Sequence, residues 1–161
     1  MEASIDEITA WHEAGHAFAA CWLGAKIESV SIDPDADDGP KRFGIITVRW
    51  QRDDYCDREI AEKSVMVALS GPVAEMIREG HHRHPGTVQE WAEDWAAAWS
   101  AATFIPDHRQ RQRYLEQIAA ELLYVLEQDH HWAAIGAITD HLLAHESLEG
   151  ETIHEIVEQW M

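Results

Sequence analysis

A mainly α-helical fold with one small antiparallel β-ribbon is what this sequence predicts, on three observations. Apolar residues recur at helical spacing over nearly all of the chain after Arg52. Two capping boxes, Ser4-Ile5-Asp6-Glu7 and Thr87-Val88-Gln89-Glu90, mark helix starts, because the hydroxyl can take a free backbone N–H while the Glu reaches back. Only two runs rich in β-branched residues occur, and they flank a single turn-rich loop. With 161 residues, a single domain over 1–161 with one core is expected.

The first helix should run from the Ser4 box to about Leu23 and stop at Gly24, with Ile5, Ile8, Gly15, Ala19 and Leu23 on one face. The runs 27–32 and 44–50 read as a hairpin around an acidic turn over 33–40. That turn carries Asp33, Asp35, Asp37 and Asp38 but lacks the closing Glu of a calcium loop, so it is expected to be a solvated turn. Asp53 or Asp54 should cap a helix reaching Leu69, which Ser70-Gly71-Pro72 kinks or restarts before it ends at Gly80. The second capping box should open a helix to about Ile105. Helices over roughly 107–127, 130–145 and 151–160 follow, the last two separated by Gly150.

Composition removes several function classes. With 12 Lys and Arg against 30 Asp and Glu, the net charge is −18, and both a nucleic-acid backbone and an anionic membrane surface would repel it. The longest apolar stretch, 17–23, is far below the roughly 20 residues of a membrane span, so no membrane insertion is expected. The acidic N-terminus is unlike a secretory signal. Two cysteines, Cys21 and Cys56, do not make a disulfide framework; they are expected to be buried thiols in a reducing, cytoplasmic setting. The 8 Trp are expected in the core.

One constellation carries chemistry. His12-Glu13-Ala14-Gly15-His16 is a His-Glu-x-x-His motif on the first helix. Residues i and i+4 share a face, so both imidazoles can hold one metal ion, with Glu13 beside its open position as general base and then acid. Gly15 leaves room for a close approach. In a chain this rich in His and Glu, the pentapeptide arises by chance in about one sequence in twelve, so its setting matters as much as its letters. Two His on an apolar stripe have four ring nitrogens to satisfy, and a metal satisfies two of them.

A catalytic zinc needs a third protein ligand. On the helix expected from Val88, the apolar face holds Trp91, Trp95, Ala98, Trp99 and Ala102, and Asp94 lies at its edge. Glu90 is a turn earlier and more exposed, and Glu93 points nearly opposite, to solvent. Glu75, after the Gly-Pro break, is a weaker candidate. Asp94 has the best geometry. His81, His82 and His84 read as an exposed polar loop, with no acid or Cys at ligand spacing to make a second site.

The motif and its neighbours resemble the peptidase domain of the FtsH-type zinc metalloproteases, the AAA-associated proteases of bacteria and organelles. His12-Glu13-Ala14-Gly15-His16-Ala17 looks like that family's zinc site, and Val67-Ala68-Leu69-Ser70-Gly71-Pro72-Val73-Ala74-Glu75 is similar to its Leu-x-Gly-Arg-x-Ala-Glu stretch. Glu93-Asp94-Trp95 resembles its Asn-Asp-Leu segment, whose Asp is the third zinc ligand. The segment 145–153 resembles its closing Glu-x-Thr-Leu-x-Gly-Glu-Glu-Ile pattern. The family's Gly-Arg is Gly71-Pro72 here, and the loop before Asp94 carries His81-His82-Arg83-His84-Pro85 in place of small residues. No phosphate-binding loop of an ATPase occurs, so the expectation is a stand-alone domain without ATPase module or membrane anchor.

The resemblance implies a zinc-dependent metalloendopeptidase with one Zn²⁺ per chain held by His12, His16 and Asp94, with Glu13 catalytic and a protein or peptide as substrate. It further implies that an edge of the ribbon, around Phe43 to Trp50, pairs with an extended substrate. Without an unfolding motor, flexible or unfolded segments would be the substrates. The alternative is a regulatory or binding module that keeps the fold, with or without the metal, but cleaves nothing.

Overall fold

The computed structural model describes residues 4–33 and 45–161. The acidic turn from Pro34 to Pro40 lies outside the described residues, as do Phe43 and Gly44 at the start of the expected second strand. Mainly helical architecture with a small antiparallel sheet is what forms: six α-helices and three strands among the described residues.

Helix α1 (Ile5–Trp22) starts where Ser4 Oγ accepts the Glu7 N–H at 3.1 Å, and ends before Gly24, whose φ of 93° is a left-handed backbone that suits glycine. The expected single apolar stripe is wrong for this helix. From His12 to Ala20 every residue is buried, whereas Ile5 is 67% exposed. The reason is position: α1 is central, packed against α2 and α5 and touching β1, β2 and α6. Its small residues (Ala10, Ala14, Gly15, Ala17, Ala19 and Ala20) let neighbours close in from several sides.

Strands β1 (Lys26–Ser31) and β2 (Ile45–Arg49) pair antiparallel, Ile27 opposite Val48 and Val30 opposite Ile46, with a bulge between Ile27 and Ser29. The hairpin is only part of the sheet. A third strand, β3 (Ser147–Glu149), pairs with the other side of β1, so the order is β2-β1-β3 and β2 lies at an edge. Gly150 does not merely separate two helices. It begins α6 (Gly150–Trp160) at a point where a Cβ would lie 1.6 Å from the Ile27 carbonyl oxygen, so only glycine fits there.

Helix α2 (Asp57–Glu79) starts later than expected, at Cys56 rather than at Asp53 or Asp54. Glu59 Oε1 takes the Cys56 N–H at 3.3 Å, which fixes the first turn there, while the Asp54 N–H bonds back to Gln51 in the preceding turn. As its cap, Cys56 is exposed, against the expectation of a buried thiol; Cys21 is half-buried, its Sγ 3.0 Å from His154 Nδ1. Gly71-Pro72 does not split α2, which runs unbroken to the left-handed cap at Gly80.

The second capping box does not form. Thr87 Oγ1 donates to the His84 carbonyl at 2.9 Å, and the chain passes through a 3₁₀ turn (Gln89–Trp91) into the short helix α3 (Ala92–Ala101). Helices α4 (His108–Leu126, capped by Asp107) and α5 (Asp129–His145) complete the bundle. Of the tryptophans, Trp91 is fully buried but Trp22 and Trp160 remain 38% and 46% exposed, so not all of them fill the core. No helix among the described residues is long and apolar enough to cross a membrane.

Candidate metal centre

His12 and His16 project from α1 towards the point where it crosses α2, and α3 brings Asp94 to the same place. The crossing is close: a Cβ on Gly15 would stand 2.6 Å from both the Ala74 Cβ and the Ser70 carbonyl oxygen. The space beside Gly15 is therefore filled by α2 rather than left for a ligand. His12 Nε2 lies 3.0 Å from His16 Nε2 and 2.8 Å from Asp94 Oδ2, and His16 Nε2 lies 3.2 Å from Asp94 Oδ1. It is the one group of three or more His, Cys, Asp or Glu among the described residues whose ligand atoms converge in this way.

The far side of each ring decides what the near side offers. His16 Nδ1 is 2.7 Å from the Val67 carbonyl, which can only accept, so Nδ1 carries the proton and Nε2 is bare. His12 Nδ1 is 2.5 Å from Glu75 Oε2, a carboxylate oxygen that likewise calls for the proton on Nδ1. Pro72, with no N–H of its own, leaves the Ala68 carbonyl without its helical donor and crowds that turn of α2, one residue on from the Val67 carbonyl that His16 uses. With both rings neutral, two bare Nε2 atoms and a carboxylate would thus face one another in a buried place. Three electron-pair donors so arranged call for a cation.

The titration behaviour says the same. Burial works to lower the His12 imidazole, but Asp94, then Glu75 and Glu13, outweigh it and hold the ring up at about 10. His16 is raised too, Asp94 outweighing both burial and the neighbouring His12. Burial pushes Asp94 up, yet His16 and His12 prevail and hold its carboxyl well below the usual carboxylate range. In the metal-free protein a proton fills the role of the cation.

The three groups could together hold a metal ion. Ligand atoms roughly 2.0–2.2 Å from a tetrahedral metal ion would stand about 3.3–3.6 Å from one another; the two Nε2 atoms here are 3.0 Å apart, and each has a different Asp94 oxygen beside it, at 2.8 and 3.2 Å. Both imidazoles have partners on their second nitrogen that fix tautomer and orientation, as metal-ligating histidines do. Asp94 keeps 23% of its side-chain surface exposed, so the centre is open on that side.

That side is a cleft of about 430 Å³. Glu13 lines it together with His16 and Asp94, although its residue is only 3% exposed. One wall is Ile46, Val48 and Trp50, the inward-facing series of β2 and the residue after it. Val67 and Ala68 of α2 form another. Glu93, expected to point away, is exposed but on the rim of this cleft. Glu90 is exposed and outside it.

Two contributors were not legible beforehand. Glu75, expected as a weak ligand candidate, lies behind His12 and takes its Nδ1 proton instead. Gly71 reads from sequence as part of a helix break and as the neighbour of a missing Arg, yet a Cβ there would stand 2.3 Å from His16 Nε2 and 2.8 Å from His12 Nε2. Gly71→Ala should therefore weaken zinc binding at least about tenfold, measured by competition with a chromophoric chelator, since His16 cannot swing aside without leaving the Val67 carbonyl. Unchanged affinity would show that the ligand face does not need Gly71.

His81 and His82 are exposed as expected, but His84 is half-buried. Its Nδ1 accepts the Gly86 N–H at 3.0 Å and its Nε2 therefore donates to Glu116 at 2.9 Å, pinning the loop before α3 to α4. No protein-family model matches this chain, and no curated protein matches it.

Proposed function

We propose that this chain is a zinc-dependent metalloendopeptidase of the FtsH type, with His12, His16 and Asp94 as the ligands of one Zn²⁺ and Glu13 as general base and acid. The observation that carries the reading is the convergence of two tautomer-locked imidazoles and a carboxylate at the inner end of a cleft that Glu13 also lines. Zinc held there supplies Lewis acidity to a water and to a peptide carbonyl. Glu13 takes the attacking water's proton and returns it to the leaving amine. Glu75 and the Val67 carbonyl keep both rings turned towards the metal.

Strand β2 supports an extended substrate. It is an edge strand that, among the described residues, pairs only with β1, and residues 46, 48 and 50 face the cleft. A peptide adding to that edge would run past the ligands with alternate side chains against an apolar wall. Flexible or unfolded segments meet this requirement, because a folded chain seldom offers a free strand. Two free thiols, one of them exposed, suit a reducing cytoplasmic setting.

Purified protein is expected to carry about one zinc per chain by elemental analysis. It should cleave casein, lose that activity to a chelator and regain it with added Zn²⁺. Protein that holds no zinc after incubation with the metal and buffer exchange would refute the proposal.

A further inference from the structure

Helix α3 carries Asp94 in its first turn; Trp95, Trp99 and Ala101 pack the helix against the core, but its start has no cap of its own. It has ten residues, no side chain caps its N-terminus, and only Ala98 within it is fully buried. A helix this short is marginal without tertiary support, so what fixes its start also fixes Asp94.

The support is Trp91, the residue before α3, which is fully buried. Its Nε1–H donates to Glu75 Oε2 at 2.7 Å, and the same oxygen lies 2.5 Å from His12 Nδ1. The Arg83 guanidinium covers the indole face, 4.9 Å from the ring. One carboxylate oxygen of α2 thus accepts from a ligand of α1 and from the anchor of the helix that carries the third ligand.

Resting on the metal-site reading above, we propose that Trp91 is a positioning residue: through Glu75 Oε2 it couples the orientation of His12 to the seating of Asp94, so that the ligands are set together. Its effect on the metal runs through Glu75 rather than through bulk.

Zinc affinity of wild type, Trp91→Phe, Glu75→Gln and the double variant tests this by chelator competition. Trp91→Phe keeps an aromatic ring in the core but removes the N–H together with the pyrrole part of the indole, so the comparison with the Glu75→Gln background separates the lost hydrogen bond from the lost volume. Glu75→Gln should weaken binding about 10–100-fold and Trp91→Phe about tenfold, while adding Trp91→Phe to Glu75→Gln should cost less than about twofold more. Trp99→Phe, on the same helix but against His108 and Arg111, should leave affinity unchanged. Independently of any Trp variant, Glu75→Gln alone should speed amide hydrogen exchange at residues 91–94 in the metal-free protein. Several results would overturn the proposal: no loss in Trp91→Phe, a loss in the Glu75→Gln background at least half as large on a logarithmic scale, an equal loss in Trp99→Phe, or unchanged exchange. Wild type that binds no zinc defeats the metal reading itself, whereas zinc binding with additive losses defeats only the coupling.

Discussion

Glu13→Gln should bind zinc as wild type does and cleave casein about 10²–10⁴-fold more slowly, the range a positioned general base contributes. The substitution keeps the shape of the side chain; besides the proton chemistry it removes one of the weaker charges acting on His12 and His16. The side chain is nearly buried on α1, and an amide of the same shape retains its packing while losing the basicity that takes a proton from water. Glu13 is not among the three converging donors, so stoichiometry near one zinc per chain is part of the expected result. Two other outcomes are informative. Cleavage that survives in Glu13→Gln would place the base elsewhere or expose a contaminating protease. Wild type that is fully loaded with zinc yet cleaves none of several unfolded substrates would favour a binding module that retains the centre without the activity.

The parts of the molecule legible from sequence are those that local chemistry decides. Ser4 caps α1, Gly24 and Gly80 close α1 and α2, and Asp107 opens α4, because each needs only its own neighbours in the chain. The spacing of His12 and His16 puts their rings together for the same reason. The helical wheel puts Asp94 at the edge of the apolar face of α3, and its half-buried carboxylate lies beside both rings, since a flank depends on period and not on where the helix begins.

What was misplaced depends on contacts distant in sequence. Thr87 had the letters of a capping box, but His84, held by Glu116 of α4, draws its hydroxyl into a turn. Strand β3 is three residues long, too short for alternation to announce it, and it exists because β1 offers a free side. Pro72 reads as a helix break in isolation; α2 continues past it in the middle of a packed bundle. Glu75 could be judged only as a ligand or not, because the sequence does not say which ring nitrogen a carboxylate will face. Gly71 matters for a clash with side chains more than fifty residues earlier. The residues that converge are therefore suggested by sequence, while the groups behind them require the fold.

Asp94→Ala should abolish stoichiometric zinc, with affinity lowered at least about a hundredfold, because it removes one of the three ligands proposed above. It should also alter the metal-free protein in a way that a surface substitution would not. In metal-free wild type, His12 titrates at about 10 rather than at its ordinary 6.5. A folded-state value above the unfolded one means that the native protein binds the extra proton. The stability this group contributes is therefore complete below about pH 6.5 and is lost as the pH climbs towards 10. Metal-free wild type should accordingly become easier to unfold by urea between pH 6.5 and 8.5. That window lies below the range where the Cys21 thiol, pushed up to about 11 by burial and Glu158, adds a loss of its own. Asp94 is the strongest of the groups raising His12, so in Asp94→Ala the ring is held up less and that slope should flatten. Zinc must displace the same proton, so wild-type affinity should rise with pH across this window and binding should release protons, as calorimetry in two buffers of different ionisation heat would register. If Asp94→Ala retains wild-type zinc affinity, Asp94 is not a ligand. If it loses zinc but keeps the wild-type slope, a different carboxylate holds the proton, and Glu75 is the one already in contact with the ring.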